Sequence, residues 1–138
     1  MLKVNVLYRQ KSRVLTQRIL TPLENGVNDG HFILSAHLFG TSKRVKAEIF
    51  RTDVLVIQDE HGSDLEQLVK AARSKGIRVV YDYSESVMRT DSNDIRAQNA
   101  RFRLMQECDL ITHSSDSLTS DWAGLHVPTL GSDVPTSE

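Results

Sequence analysis

Runs of apolar residues alternate with helical patterns along the chain. Val4, Val6 and Tyr8, with Leu7 between them, mark a short and largely buried strand. Val14, Leu15, Ile19 and Leu23 recur near helical spacing, and Pro22 predicts a kink or an early restart in that helix. Residues 26–30, Gly-Val-Asn-Asp-Gly, form a turn cluster. A second strand is expected over 31–37 through Phe32, Ile33 and Leu34, then a short helix over 42–50 with Val45 and Ile49 on its apolar face. Residues 53–58, Asp-Val-Leu-Val-Ile-Gln, are almost continuously apolar, as in a strand covered on both faces.

The next helix carries Leu65, Leu68, Val69 and Ala72 on one face. Ser63 and Glu66 have the spacing of a capping box, and Gly76 sits where a helix stop is wanted. A strand follows at 77–81, completing a strand–helix–strand unit with the length of a right-handed crossover between parallel neighbours. Residues 84–92 read as a polar loop. Asp91 or Ser92 can cap a helix with Ile95, Phe102, Met105 and Cys108 facing inward, and 110–112 form a short strand. Asp116 or Ser117 can cap a last helix with Leu118, Trp122 and Leu125; 127–130 make a further strand, and 131–138 a polar tail.

This alternation predicts one α/β domain over residues 1–130. It is a doubly wound (Rossmann- or flavodoxin-like) three-layer α/β/α fold with a parallel sheet in the order 2-1-3-4-5. Its strand ends would gather Arg9, Asp59, Glu60, His61, Asp82, Glu85 and His113 on one rim, with the switch point between the first and third strands.

Composition narrows the partners. Lys and Arg number 17 against 18 acids, a net charge of −1, so no general field attracts nucleic acid or an anionic membrane. Arg89, Arg96, Arg101 and Arg103 are the densest basic stretch, but no interleaved aromatics could stack bases, and the stretch reads as a solvated helix face. No apolar run approaches the ~20 residues of a membrane helix. The single cysteine, Cys108, cannot form an internal disulfide, and a cytoplasmic protein is expected.

The chemistry available at the rim is that of carboxylates beside imidazoles. Asp82 with His61 or His113 could take a proton from a hydroxyl group, since a carboxylate orients an imidazole and holds it ready as a base. Structural capping by the same polar residues is the competing reading, and on base rates the commoner one. No H-x-x-x-H, C-x-x-C or calcium-loop spacing is present, so no metal is expected. No glycine-rich phosphate loop occurs either; Gly62-Ser63 at a helix start is the modest substitute, and no cofactor is expected. Asp59 at a strand end resembles the phosphoacceptor of receiver domains, but Tyr8-Arg9-Gln10 lacks the acidic pair those domains need. Ser114 and Ser115 lack the G-x-S-x-G elbow of a hydrolase nucleophile.

Several motifs occur together in a familiar order: Arg18-Ile19-Leu20-Thr21-Pro22; Asp53 through Gln58; Ala72-Arg73-Ser74-Lys75-Gly76; Val79-Val80-Tyr81-Asp82; and Asp109-Leu110-Ile111-Thr112-His113-Ser114-Ser115-Asp116-Ser117-Leu118. Over residues 13–130 this succession resembles the N-terminal half of two-domain, GT-B fold glycosyltransferases. The family's acidic run after its fourth strand is replaced here by Tyr83-Ser84-Glu85. The resemblance implies an acceptor-side domain, with Asp82, His61 and His113 as candidate catalytic groups. Arg9, Asp59, Glu60, Gly62, Ser63, Glu85, Ser114 and Ser115 would be ligand-binding candidates. It also implies that the donor sugar is held by a second domain, so that this chain is expected to be incomplete as a catalyst. The expected partners are a glycan or other acceptor and a second domain or second copy of the chain. A noncatalytic module that associates with itself or another protein is the alternative.

Overall fold

The computed structural model describes residues 2–8, 16–38, 43–84, 93–113 and 127–131. Six strands form one all-parallel sheet: β1 (Leu2–Tyr8), β2 (Phe32–Leu38), β3 (Val54–Gln58), β4 (Arg78–Tyr83), β5 (Leu110–His113) and β6 (Thr129–Gly131). Their order is β2-β1-β3-β4-β5-β6, as the five-strand expectation required, with β6 added at the far edge. The chain therefore moves outward in one direction from β1 to β2, then returns past β1 and continues in the other. That reversal places the switch point between β1 and β3.

The helices are α1 (Thr21–Asn28), α2 (Lys43–Ile49), α3 (Ser63–Ser74) and α4 (Ile95–Gln106). A π-helical turn, Thr16–Leu20, leads directly into α1. The winding changes around Thr21 and Pro22, where the proline ring has no N–H to return to the Arg18 carbonyl four residues back. The expected disturbance at Pro22 is thus a change of helix type.

Alternation along each strand sends its side chains to two faces. One face packs Leu7, Leu55, Ile57, Val79, Tyr81, Tyr83 and Ile111 against Leu65, Leu68, Val69 and Ala72 of α3 and Leu104 and Met105 of α4. Each such side chain gains ~1.5–3 kcal/mol on leaving water, so this layer is the main source of stability. The other face holds a smaller cluster of Val4, Val6 and Val56 with Ile19, flanked by Leu20, Leu23 and Val80. There α1 and the π turn are the covering elements among the described residues.

Four local expectations are corrected. Ser63 is the first residue of α3 and not its cap: Gly62 holds the N-cap position at φ 140°, with no side-chain cap hydrogen bond, and its carbonyl accepts from the Glu66 N–H. The cap of α4 is Asp94, whose carboxylate accepts from the N–H groups of Arg96 and Ala97, in place of Asp91 or Ser92. Ile95, just after that cap, is 71% exposed and does not face inward. Gly131 pairs with His113 in β6 and so belongs to the sheet, not the tail. Gly76, at φ 84°, follows the end of α3 as expected. Val14, Leu15 and the expected last helix with its Asp116 or Ser117 cap lie outside the described residues.

Candidate functional site

Parallel register brings the strand ends together. Gln58 lies opposite Asp82, Asp82 opposite Thr112, and Tyr83 opposite His113. β4 runs two residues beyond its expected end, which makes Asp82 a strand residue and assigns it to a definite face. Asp59, Asp82 and His113 therefore share the carboxyl edge of the sheet, but two separate polar clusters form there, one on each face.

On the α1 face the centre is Asp82, which is fully buried. Its Oδ1 accepts from Arg18 Nη2 at 2.5 Å and from Thr112 Oγ1 at 2.6 Å. Its Oδ2 accepts from Arg18 Nε at 3.1 Å and Gln58 Nε2 at 3.2 Å. Two oxygens offer about four lone-pair sites, and four donors occupy them. A carboxylate so filled has no site left to accept a substrate proton. Its chemistry is to hold the Arg18 guanidinium in a bidentate fork. Asp82 as a base beside His61 or His113 gains no support from this arrangement.

Below this pair lies a cavity of about 410 Å³ on the same sheet face. Valines 4, 54, 56 and 80 form its floor, Pro22 and Leu23 of α1 one wall, and Leu130 of β6 the far side; Arg18, Asp82 and Thr112 make its polar end. Arg18 is buried, and its Nη1 has no hydrogen-bond partner among the described residues.

On the opposite face the organising residue is Arg101 of α4, which is fully buried. Its Nε donates to the Tyr81 hydroxyl at 3.0 Å, and its Nη2 donates to the Asp59 carbonyl at 2.7 Å. The same Nη2 lies 3.0 Å from His61 Nδ1. A guanidinium can only donate, so this contact requires Nδ1 to be the bare nitrogen and puts the imidazole proton on Nε2. The guanidinium also stacks over Tyr83, 5.5 Å from the ring centre. The Tyr81 hydroxyl in turn donates to the Glu60 carbonyl at 2.7 Å, and burial pushes that phenol well above its ordinary pKa. Arg101 thus fixes the turn from β3 into α3 through its backbone.

Asp59 sits in that turn at φ 60°, a left-handed conformation that Asp tolerates better than most side chains. Ser84 binds both of its oxygens, by its N–H at 2.8 Å and its hydroxyl at 2.6 Å. Burial nevertheless raises the carboxyl to about 6, outweighing these two hydrogen bonds; the Asp82 charge adds to the rise and Arg101 opposes it. Asp59 therefore changes charge near neutrality.

Glu60 and His61 are half-buried beside it, and the Glu60 Oε1 accepts from the His61 N–H at 3.1 Å. Gly62 and Ser63 begin α3, and Ser63 is exposed. His113 is buried at the end of β5, on the face of Ile111 and away from Asp82. Arg9, Glu85, Ser114 and Ser115 lie outside the described residues, as does Arg89. Arg101, read from sequence as part of a solvated face, is among the largest fully buried side chains of the described residues. Its position three and four residues before Leu104 and Met105 places it on the apolar stripe of α4, which is the signal that identifies it. Arg18 entered the sequence reading only as one letter of a motif; its role as the partner of Asp82 did not.

Among the described residues no group of three or more His, Cys, Asp or Glu side chains could hold a metal ion. Among them, too, no helix is long and apolar enough to cross a membrane. Neither a protein-family model nor a curated protein sequence matches the chain.

Proposed function

We propose that this chain is the acceptor-side half of a two-domain glycosyltransferase and needs a second, donor-binding domain for turnover. The observation that carries the reading is the polar carboxyl edge of the sheet, where Asp59, Glu60 and His61 follow β3 beside the switch point and Asp82 and His113 stand at the ends of β4 and β5 on opposite faces. Doubly wound sheets bind ligands there. The motif order from Arg18 to Leu118 resembles that of GT-B fold glycosyltransferases, and that resemblance is what suggests sugar transfer. His61, half-buried with its proton on Nε2, is the group suited to hydrogen-bond a saccharide hydroxyl, and Asp59 and Glu60 stand beside it. Asp82 serves this site as the anchor of Arg18. Cys108, a buried thiol pushed up to about 12 by burial, suits a reducing, cytoplasmic setting.

Calorimetric titration of the chain with neutral mono- and disaccharides, and separately with nucleotide sugars, tests this. Saccharide binding at millimolar strength without nucleotide-sugar binding is expected. Tight binding of a nucleotide sugar to this chain, or no saccharide binding at all, contradicts it.

One observation favours a noncatalytic association module instead. The edge strands β2 and β6 carry Ile33 and Leu130, 50% and 59% exposed. Among the described residues neither strand has an outer neighbour, and such edges invite strand pairing with another chain. Native mass spectrometry separates the readings: a stable dimer without saccharide affinity supports the module.

A further inference from the structure

The two edges of the sheet are protected differently. β6 is three residues long, and so short an edge strand offers little to pair with. β2 is seven residues long and pairs along its whole inner side with β1. Among the described residues no strand lies outside it, so every second residue turns its backbone N–H and C=O outward. Its sequence, Phe-Ile-Leu-Ser-Ala-His-Leu, holds no Lys, Arg, Asp, Glu or Pro, the residues that commonly keep such an edge from pairing. Apolar surface collects at the same place. Ile33 on β2, Leu2 opposite Phe32, and Val27 on α1 are three of the five large apolar side chains left exposed among the described residues. Val27 follows Gly26, which rests against the Phe32 ring, so α1 brings its exposed apolar side chain to β2.

The missing charge selects the partner. Without Lys, Arg, Asp or Glu the strand cannot choose a different protein by complementary charge, and it meets no like charge when it pairs with itself. The net charge of −1 adds no general repulsion between copies. A two-fold axis normal to the sheet sets two β2 strands antiparallel, and one register pairs all seven residues. It places Ser35 opposite the partner's Ser35, Ile33 opposite the partner's His37 and Leu34 opposite the partner's Ala36. Opposed residues share a face, so Ile33 remains on the α2 side, where His37 lies 3.0 Å from Glu48. We propose that this chain forms a symmetric dimer with a second copy of itself by antiparallel β2–β2 pairing centred on Ser35, joining two six-stranded sheets into one. The dimer does not depend on the sugar-acceptor reading, and it gives the association reading one edge, one register and one partner.

Sedimentation equilibrium of the chain tests it. A monomer–dimer equilibrium is expected, with the chain at least half dimeric at ~100 μM, as a small interface allows. Ile33→Lys sets a charge into the interface twice, once from each copy, and should weaken the dimer about tenfold or more. Ile33 is exposed, so circular dichroism should not change. Ser35→Cys should give a disulfide-linked dimer on mild oxidation, because directly opposed residues lie within the Cα spacing of ~4.4–6.8 Å that a disulfide needs. Cys108 is buried and does not compete. Leu130→Cys, on the other edge, is the control and should cross-link far less. Should Ile33→Lys fail to fold, the parent chain and Ser35→Cys decide the matter. A monomer at that concentration, oligomers larger than a dimer, a dimer indifferent to Ile33→Lys, or cross-linking of Ser35→Cys no better than that of Leu130→Cys overturns the proposal. The saccharide titration reads the rim and not this edge, so either result stands without the other.

Discussion

Arg18 and Asp82, 64 residues apart in sequence, meet in a buried bidentate pair, with Nη2 on Oδ1 at 2.5 Å and Nε on Oδ2 at 3.1 Å. The pair ties the π turn to β4, so one charged contact joins the helical layer to the sheet at the edge where the candidate site lies. Desolvating both groups is costly, and the contact balances that cost only while both are present.

Removing one partner is therefore predicted to be worse than removing both. Arg18→Ala leaves Asp82 buried without its cation and should lower stability by about 3–5 kcal/mol. Asp82→Leu should have a similar effect by stranding Arg18. Combining Arg18→Met with Asp82→Leu should cost clearly less than the two single changes summed. Urea unfolding of the set, with the midpoint and slope compared across variants, measures the coupling.

Asp59 predicts a pH dependence of definite sign. Its carboxyl titrates near 3.8 when unfolded and about 6 when folded. Between these values the unfolded chain has released its proton while the folded chain retains it. Stability from this group is thus full below pH 4, falls as pH rises through 4 to 6, and levels off above, a loss of about 3 kcal/mol. Asp59→Asn should flatten this stretch of the stability–pH curve relative to the parent chain. Identical curves would show that Asp59 titrates normally.

Arg101 is predicted to be irreplaceable by lysine. Its two donating nitrogens reach Tyr81, the Asp59 carbonyl and His61 from one rigid plane, which a single ammonium cannot span. Arg101→Lys should lower stability by about 2–4 kcal/mol, since hydrogen bonds from a charged donor contribute about 1.5–3 kcal/mol each. The near-ultraviolet circular dichroism of Tyr81 and Tyr83 should change with it.

The strand and helix pattern was legible because parallel strands buried on both faces leave nearly unbroken apolar runs, as in Val54–Gln58. The crossover from β3 through α3 to β4 was equally plain. Details at element ends were not. The Ser63 and Glu66 spacing mimics a capping box, but Gly62 at φ 140° takes the cap, a geometry set by backbone and invisible to spacing. The site was half legible: parallel strands gather Asp59, Asp82 and His113 at one edge, as the pattern implied. Which face each takes depends on where β4 ends, and a two-residue extension put Asp82 with Arg18 on one side and Tyr83 with Arg101 on the other. Pairing over 64 residues, like that of Arg18 with Asp82, has no local signature at all.

The most direct test of the sugar-acceptor reading is an amide-resolved NMR titration of the chain with neutral disaccharides. The account predicts shifts concentrated at Asp59, Glu60, His61 and Ser84, with little change across α1. Shifts confined to the β2 or β6 edge, or none with any saccharide, would contradict it.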